Sequence, residues 1–279
     1  MRRKISFLLA FVLLLSLTAC VQEEKGENPY RLKTHTIDLY RGGEFSSQMK
    51  FDYTFDDQGY LSQIIYYLDG EVADTQTYTT DEYGNIVKTV RETSDGAVFT
   101  EENKLTLDDE HRIIRSETYS DKILRAITEM EYDWQGRQTL LKIERINVHE
   151  GEDLTSWVES TYDSDGNVIR EDTRWSDGNG GRTTYEYKNG KLVRSENYDK
   201  ENKLTAWTEY AYDDTGLVQT AQTYQTNGLP CSKTISTFDE YGNLLRSETY
   251  AGWDPVTEEN DDLVDRIVTQ IYEPVVPET

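Results

Sequence analysis

The sequence predicts an all-β protein made of tandem β-hairpin repeats of about 26 residues, forming a curled antiparallel meander of about 16 strands. Three observations support this fold class. A turn motif recurs eight times at nearly constant spacing. The segments between the turns alternate apolar and polar residues, as half-buried strands do, and no segment after residue 20 shows helical periodicity.

The composition limits the classes of function. The chain has 279 residues, 53 acidic against 29 basic side chains, and a formal charge of −24. Nucleic acids and anionic lipids are bound through Lys and Arg, so this charge argues against unaided binding to either. The 20 tyrosines indicate a folded chain rather than a disordered acidic one.

Residues 1–19 predict an export signal. Basic residues 2–4 precede an apolar run at 5–17, which is too short for a comfortable membrane-spanning helix. The sequence Leu17-Thr18-Ala19-Cys20 resembles the lipobox of bacterial lipoproteins. This resemblance implies cleavage before Cys20, lipid attachment to its sulfur, and a lipid-anchored, extracytoplasmic protein of the cell membrane or envelope. The alternative is an ordinary secretory signal.

The remaining chain divides into a tether and one domain. Residues 20–29 are polar and aperiodic, as expected for a lipidated tether, and residues 30–279 are predicted to form a single repeat domain. If Cys20 is lipidated, Cys231 is the only other cysteine, so no internal disulfide is expected.

The repeated turn motif has the form aromatic-Asp-x-x-Gly, with some degenerate copies. Its Asp accepts hydrogen bonds from backbone N–H groups two residues on, and its Gly supplies the positive φ that closes the turn. A Tyr stands eight residues after the final position in five copies. The final positions are 59, 84, 111, 136, 166, 190, 216 and 242, and all are Gly except His111.

A second set of turn signals, such as Asp69-Gly70 and Asn227-Gly228, lies between the copies of the motif. Each unit is therefore strand, turn, strand, turn, and eight units make about 16 strands. Residues 263–272 are expected to add one more strand. Residues 30–44 and 253–279 are expected to cap the two ends of the curled sheet, and the sequence leaves its closure open.

The Tyr-Asp-x-x-Gly-Asn-hydrophobic unit resembles the YD (Rhs-type) repeat of bacterial surface and toxin-shell proteins. The resemblance covers residues 45 to 252, and Asn follows the turn Gly at positions 85, 167 and 243. In that family longer arrays spiral into a hollow β-shell around cargo. This chain has too few repeats for a large shell, and no toxin domain or self-cleaving module is evident.

No pattern of catalytic, cofactor-binding or metal-binding residues is found, so the sequence predicts a non-enzymatic protein without catalytic residues, cofactor or metal. His35, His111 and His149 are isolated from one another. The segment 163–167 is similar to a calcium loop, but it lacks the required Gly and distal Glu. The acidic residues between 258 and 265 are expected to form a solvated linker, with loose Ca²⁺ binding as the alternative.

Four tryptophans are candidate binding aromatics, because exposed rings on a rigid sheet suit sugars or extended peptides. Ordinary packing under the curled sheet is the alternative. They are Trp134, at a turn position, and Trp157, Trp175 and Trp207, on strands.

The predicted function is a membrane-anchored, non-enzymatic binding platform for a polysaccharide or protein partner. One alternative is a cell-wall or glycan hydrolase that uses carboxylates, and another is a shell-like chaperone or immunity protein for an exported toxin. A lipid-facing barrel is not expected, because Arg115 and Glu117 share a strand parity with apolar positions, as do Arg194 and Glu196.

Overall fold

A computed structural model of the protein describes residues 30–41, 43–146, 154–251 and 264–274. These residues form one sheet of 18 antiparallel strands and no helix. The strands are β1 Tyr30–Arg41, β2 Glu44–Phe55, β3 Leu61–Leu68, β4 Glu71–Thr80, β5 Ile86–Thr93, β6 Val98–Leu107, β7 Ile113–Ser120, β8 Ile123–Tyr132, β9 Gln138–Arg145, β10 Leu154–Tyr162, β11 Val168–Trp175, β12 Gly180–Lys188, β13 Lys191–Asp199, β14 Leu204–Tyr212, β15 Val218–Gln225, β16 Pro230–Phe238, β17 Leu244–Ala251 and β18 Val264–Pro274.

The sheet closes on itself as a β-barrel. Each strand pairs with its neighbours in sequence, and β1 pairs both with β2 and with β18. The all-β repeat prediction is confirmed, and the expected count of about 16 strands plus one at 263–272 is close to the 18 observed. The prediction lacked closure of the sheet, and residues 30–44, expected to cap one end, instead include β1 and the first residue of β2. An open sheet would leave the backbone donors and acceptors of two edge strands unpaired, and the β1–β18 ladder satisfies them.

Seven of the eight motif turns have the predicted chemistry, and the degenerate copy at 187–190 has no Asp. In the turn at 163–166, Oδ1 of Asp163 accepts hydrogen bonds from the backbone N–H of Asp165 (2.9 Å) and of Asn167 (2.8 Å). Gly166 has φ +91°, and His111, which replaces the turn Gly, has φ +64°. A positive φ is thus the property that the final motif position requires.

Each motif turn is followed by a β-bulge, which the sequence analysis did not anticipate. The extra residue lies three positions after the end of the motif and has no partner in the ladder. Bulges increase the local twist and bend of a sheet, which favours closure. The bulged residues are 62, 87, 114, 139, 169, 193, 219 and 245.

One face of the barrel wall is shielded from solvent, and we assign it to the inside. The strand registers place the buried side chains of His35, Ile64, Asp74, Ser195 and Ser247 on this face. A concave wall is shielded because its side chains converge.

The barrel is hollow. Ile64 is the one buried hydrophobic side chain among the described residues. In the same part of the chain, Cα atoms of different strands approach within 8 Å only between neighbours in the sheet. The wall therefore depends on its backbone ladders and cross-strand side-chain pairs rather than on an apolar core.

The barrel has two different rims. The eight motif turns form one, which we call the Asp-turn rim, and the intervening turns form the opposite rim. Strand β1 begins and strand β18 ends at the Asp-turn rim, where the ring centroid of Tyr30 lies 5.3 Å from that of Tyr241. Both ends of the barrel domain therefore lie at the same rim. No described helix has the length and apolar character needed to cross a bilayer.

Candidate functional site

The outer face carries a recurring Arg-x-Glu-x-Tyr arrangement. In β13, Glu196 accepts a hydrogen bond from Nε of Arg194 (2.9 Å) and one from the hydroxyl of Tyr198 (2.5 Å). The Tyr198 hydroxyl, and then Arg194, hold the pKa of Glu196 below its ordinary value. The carboxylate is therefore already occupied by partners from its own strand. The same arrangement occurs at 115/117/119 and at 246/248/250.

Trp207 lies within this charged surface. Its ring stacks on Tyr224 of β15 at a centroid distance of 5.3 Å and an interplanar angle of 13°. From β13, the guanidinium carbon of Arg194 lies 5.0 Å from the Trp207 ring centroid. The indole Nε1 of Trp207 is buried and has no hydrogen-bond partner. Trp207 is thus packed by its neighbours from both adjoining strands.

The other three candidate tryptophans lie elsewhere. Trp157 is on the outer face, paired in register with Lys142 and Arg174. Trp175 is on the inner face next to the opposite rim and is 39% exposed. Trp134 is at an Asp-turn tip and is 89% exposed. The structure therefore does not bring the four tryptophans together into one platform.

The Asp-turn rim is held together by contacts between successive repeats. Tyr132 donates a hydrogen bond to the main-chain oxygen of Ile113 in the preceding repeat (3.0 Å), and the guanidinium of Arg112 lies 4.7 Å from the Tyr132 ring centroid. The hydroxyls of Tyr162 and Tyr212 donate the corresponding hydrogen bond to a main-chain oxygen of the preceding repeat. The sequence signal for these contacts is a cation after the turn (112, 137 and 191), which the sequence analysis did not use.

The inner face is lined by hydroxyl and amide side chains that bond one another across strands. Thr208 and Thr223 hydroxyls are 2.9 Å apart, and Oγ of Ser195 lies 3.1 Å from the hydroxyl oxygen of Tyr210. Tyr185 donates to Glu171, and burial, and then this bond, raises the pKa of Tyr185 far above its ordinary value. The sequence analysis did not identify this lining as a surface, because Ser and Thr on alternating strands have no motif of their own.

The two histidines within the described ranges, His35 and His111, lie in different environments. His35 is only 3% exposed and its Nδ1 lies 3.0 Å from Nε2 of Gln270, while its Nε2 has no partner. Burial, and then Arg266, lowers the pKa of His35. The ring of His111 stacks on Tyr83 at 4.3 Å.

The chemical resources of the described surface are polar contacts and aromatic rings. Within the four described ranges, no three His, Cys, Asp or Glu side chains converge as metal ligands. In the segment similar to a calcium loop, the Asp163 carboxylate is engaged by its own turn. Cys20, His149 and the acidic residues 258–262 lie outside the described residues.

Comparison with known proteins identifies no family. No family model and no curated protein matches the chain. Among solved structures, a porin-like protein from Bacteroides uniformis ATCC 8492 aligns over 87% of this chain and 96% of its own, at 10% identity and TM-score 0.37. One from Bacteroides vulgatus ATCC 8482 aligns over 88% and 100%, at 11% identity and TM-score 0.33.

A TcdB2-TccC3-TEV structure aligns over 77% of this chain at 14% identity and TM-score 0.26. This chain spans only 15% of that protein's length. All three TM-scores are below 0.5, so the similarity establishes neither a shared overall fold nor a shared function. The resemblance to YD repeats rests on the turn motif itself.

Proposed function

We propose that this protein is a lipid-anchored, extracytoplasmic, non-enzymatic platform that binds a polysaccharide or a protein. The observation that carries the proposal is the presence of exposed aromatic rings on a closed, repeat-built wall. Trp134 is 89% exposed and Trp175 is 39% exposed. Rings fixed on a rigid scaffold lose little conformational entropy on binding, so they suit flat sugar faces and extended chains.

The recurrent outer surface also supports a binding role. The carboxylates of Glu117, Glu196 and Glu248 are each bonded to an Arg and a Tyr of their own strand. Such pairs fix side chains in place and leave a patterned polar surface of the kind that surrounds binding aromatics. The lipobox at Leu17–Cys20 supports the anchor, and lipidation of Cys20 attaches the domain to a membrane.

Binding is tested with the full-length protein on arrays of peptidoglycan fragments and common polysaccharides, together with proximity cross-linking on native cells. Trp134→Ala and Trp175→Ala are made separately because the two rings lie at opposite rims, and the variant at the rim that binds is expected to weaken the interaction by about tenfold, the scale of one lost hot-spot ring. Trp207→Ala is the control for loss of packing, because Trp207 is covered by Arg194 and Tyr224. Unchanged affinity in both test variants contradicts the platform.

The anchor and the absence of catalysis need separate assays. Metabolic labelling with a fatty-acid analogue is expected to mark the wild-type protein and not Cys20→Ala, and the variant should leave the membrane fraction. Turnover of peptidoglycan fragments or glycans by the purified protein would instead favour a hydrolase. A single stoichiometric protein partner without glycan binding would favour the chaperone or immunity function.

A further inference from the structure

Large apolar side chains are exposed at the rim opposite to the Asp turns. Six of them have exposed fractions between 42% and 61% and stand at the ends of the strands that meet there. We call this set the apolar crescent. It consists of Phe45, Leu68, Val72, Val98, Phe99 and Ile123.

The crescent follows the rim, and its side chains come from both faces of the wall, because Phe99 pairs with Arg91 on the inner face and Val98 pairs with Glu92 on the outer face. Its residues flank four successive turns, β1–β2, β3–β4, β5–β6 and β7–β8. Neighbouring turns of one rim are separated by two strand spacings, about 9.6 Å, so four turns span roughly 29 Å. Elsewhere on this rim the β13–β14 turn is polar, with the sequence Asp199-Lys200-Glu201-Asn202-Lys203. Among the described turns of this rim, single exposed apolar side chains also occur at Trp175 and Leu229, but exposed apolar side chains at four successive turns occur only in the crescent.

An exposed apolar arc of this size marks an interaction site, since soluble surfaces rarely keep large side chains contiguous in water. The charges around the crescent indicate which kind of partner it binds. The turns at 41–46, 68–72, 93–99 and 120–123 contain five carboxylates and two cations. All five acidic residues are exposed, namely Glu44, Asp69, Glu71, Asp95 and Asp121.

This charge disfavours two of the three classes of occupant. An anionic membrane surface is repelled by a net negative rim. A second copy of the chain presents the same negative charge and is repelled in the same way. A protein segment with apolar side chains flanked by Lys or Arg complements both parts of this surface. Its apolar side chains cover the crescent, and its cations pair with the surrounding carboxylates.

The position of the crescent agrees with that occupant. The chain enters the barrel at the Asp-turn rim through Tyr30, so a tether from Cys20 reaches that rim. Strands of 8–12 residues extend roughly 26–40 Å along their length, which places the crescent at the far end of the barrel from the tether. This step rests on the lipid anchor of the proposed function.

We propose that the apolar crescent is a docking surface for a protein partner, which binds through an apolar segment flanked by basic residues. The surface points away from the membrane that holds the tether. Apolar contact supplies the affinity, and the acidic border supplies orientation and selectivity.

The test is selection of a displayed random peptide library against the full-length protein. We expect the recovered peptides to combine Lys or Arg with aliphatic or aromatic residues, and their Kd to rise with salt concentration. Val98→Asp and Phe99→Asp are each expected to raise the Kd at least tenfold. Ile271→Asp is the matched control, because Ile271 is 54% exposed and lies outside the crescent.

Three outcomes overturn the docking surface. The first is recovery of acidic or uncharged peptides, and the second is equal binding to the Val98→Asp and wild-type proteins. The third is crescent-dependent binding to phosphatidylglycerol vesicles, or crescent-dependent dimerisation of the protein. Glycan or partner binding that is sensitive to Trp134 or Trp175 but not to Val98 keeps the platform and overturns the crescent. Absence of binding in every assay overturns both.

Discussion

His35 and Gln270 face each other across the ladder that closes the barrel, with Nδ1 of His35 3.0 Å from Nε2 of Gln270. Tyr272 donates its hydroxyl proton to Oε1 of Gln270, which turns the amide nitrogen toward His35. The amide therefore donates to Nδ1, and the remaining imidazole proton is on Nε2, which has no partner. This geometry holds His35 in its neutral form.

Acid is expected to weaken the closing ladder through His35. Burial, and then Arg266 of β18, lowers the pKa of His35 below its ordinary value of 6.5, while the packed ring from β2, Phe51, is uncharged. The unfolded chain then binds more protons than the native one, so the free energy of unfolding falls as pH drops through 6.5. Urea unfolding of the wild type between pH 7.5 and 5.5 should show a larger decrease than His35→Gln.

Gln270→Glu supplies the matched control for that effect. A carboxylate against Nδ1 favours the imidazolium and raises the pKa of His35, so the acid sensitivity of wild type should shrink or reverse. The same pH dependence in wild type, His35→Gln and Gln270→Glu would assign it to other titrating groups.

The sequence predicted what is local and missed what depends on distant pairing. The roles of Asp163 and Gly166 follow from turn chemistry alone, and both are confirmed. Closure depends on pairing β1 with β18, over 200 residues apart, and β1 carries no copy of the motif. The tryptophans lie on different faces of the wall because the bulge after each motif turn adds one residue and so reverses which face the following side chains point to. Trp175 is therefore on the inner face and Trp157 on the outer face.

The Asp that seven of the eight motif turns contain is expected to stabilise the fold through its two backbone hydrogen bonds. Asp163→Ala removes the acceptor of both N–H groups in the turn at 163–166. The Tm should fall by roughly 2–4 °C, the scale of one lost capping interaction in a chain of this size. Asp163→Asn keeps an acceptor oxygen and should lose less. Equal Tm values for the two variants would show that the side-chain acceptor is unimportant.

The same carboxylate predicts a second, more acidic transition. Hydrogen bonds from the Asn167 side chain and then from backbone N–H groups lower the pKa of Asp163 below its ordinary value of 3.8. Its stabilising contribution is present above that value and is lost as pH falls through the lowered pKa. Unfolding is monitored by fluorescence below about pH 4, the range in which an ordinary Asp titrates. The stability of Asp163→Asn should depend less on pH there than the stability of wild type.

The hydroxyl of Tyr132 is expected to couple neighbouring repeats. Tyr132→Phe removes the bond to the Ile113 carbonyl but keeps the ring beneath Arg112, so the free energy of unfolding should fall by about 0.5–1.5 kcal/mol. Tyr132→Leu also removes the cation–π contact and should lose more. Chemical denaturation measures both. A Phe variant as stable as wild type would mean that water replaces the lost donor without cost.

Gly181 is expected to be required for the close approach of two strands on the inner face. It pairs with Thr173 of β11 and Asp199 of β13, and a Cβ built on it would lie 2.6 Å from the carbonyl oxygen of Tyr198. That oxygen belongs to the backbone, so it can yield only by distorting the β12–β13 ladder. Gly181→Ala should therefore cost about 1–3 kcal/mol in the free energy of unfolding, the scale of overpacking.

The control for Gly181 is Gly59→Asn, at a motif turn. Gly59 has φ +84° and open space around its Cα, and Asn tolerates positive φ better than other residues with a Cβ. Urea unfolding should show a smaller loss for Gly59→Asn than for Gly181→Ala. The reverse order would mean that conformational strain at the turns, rather than the spacing between strands, is what the barrel tolerates least.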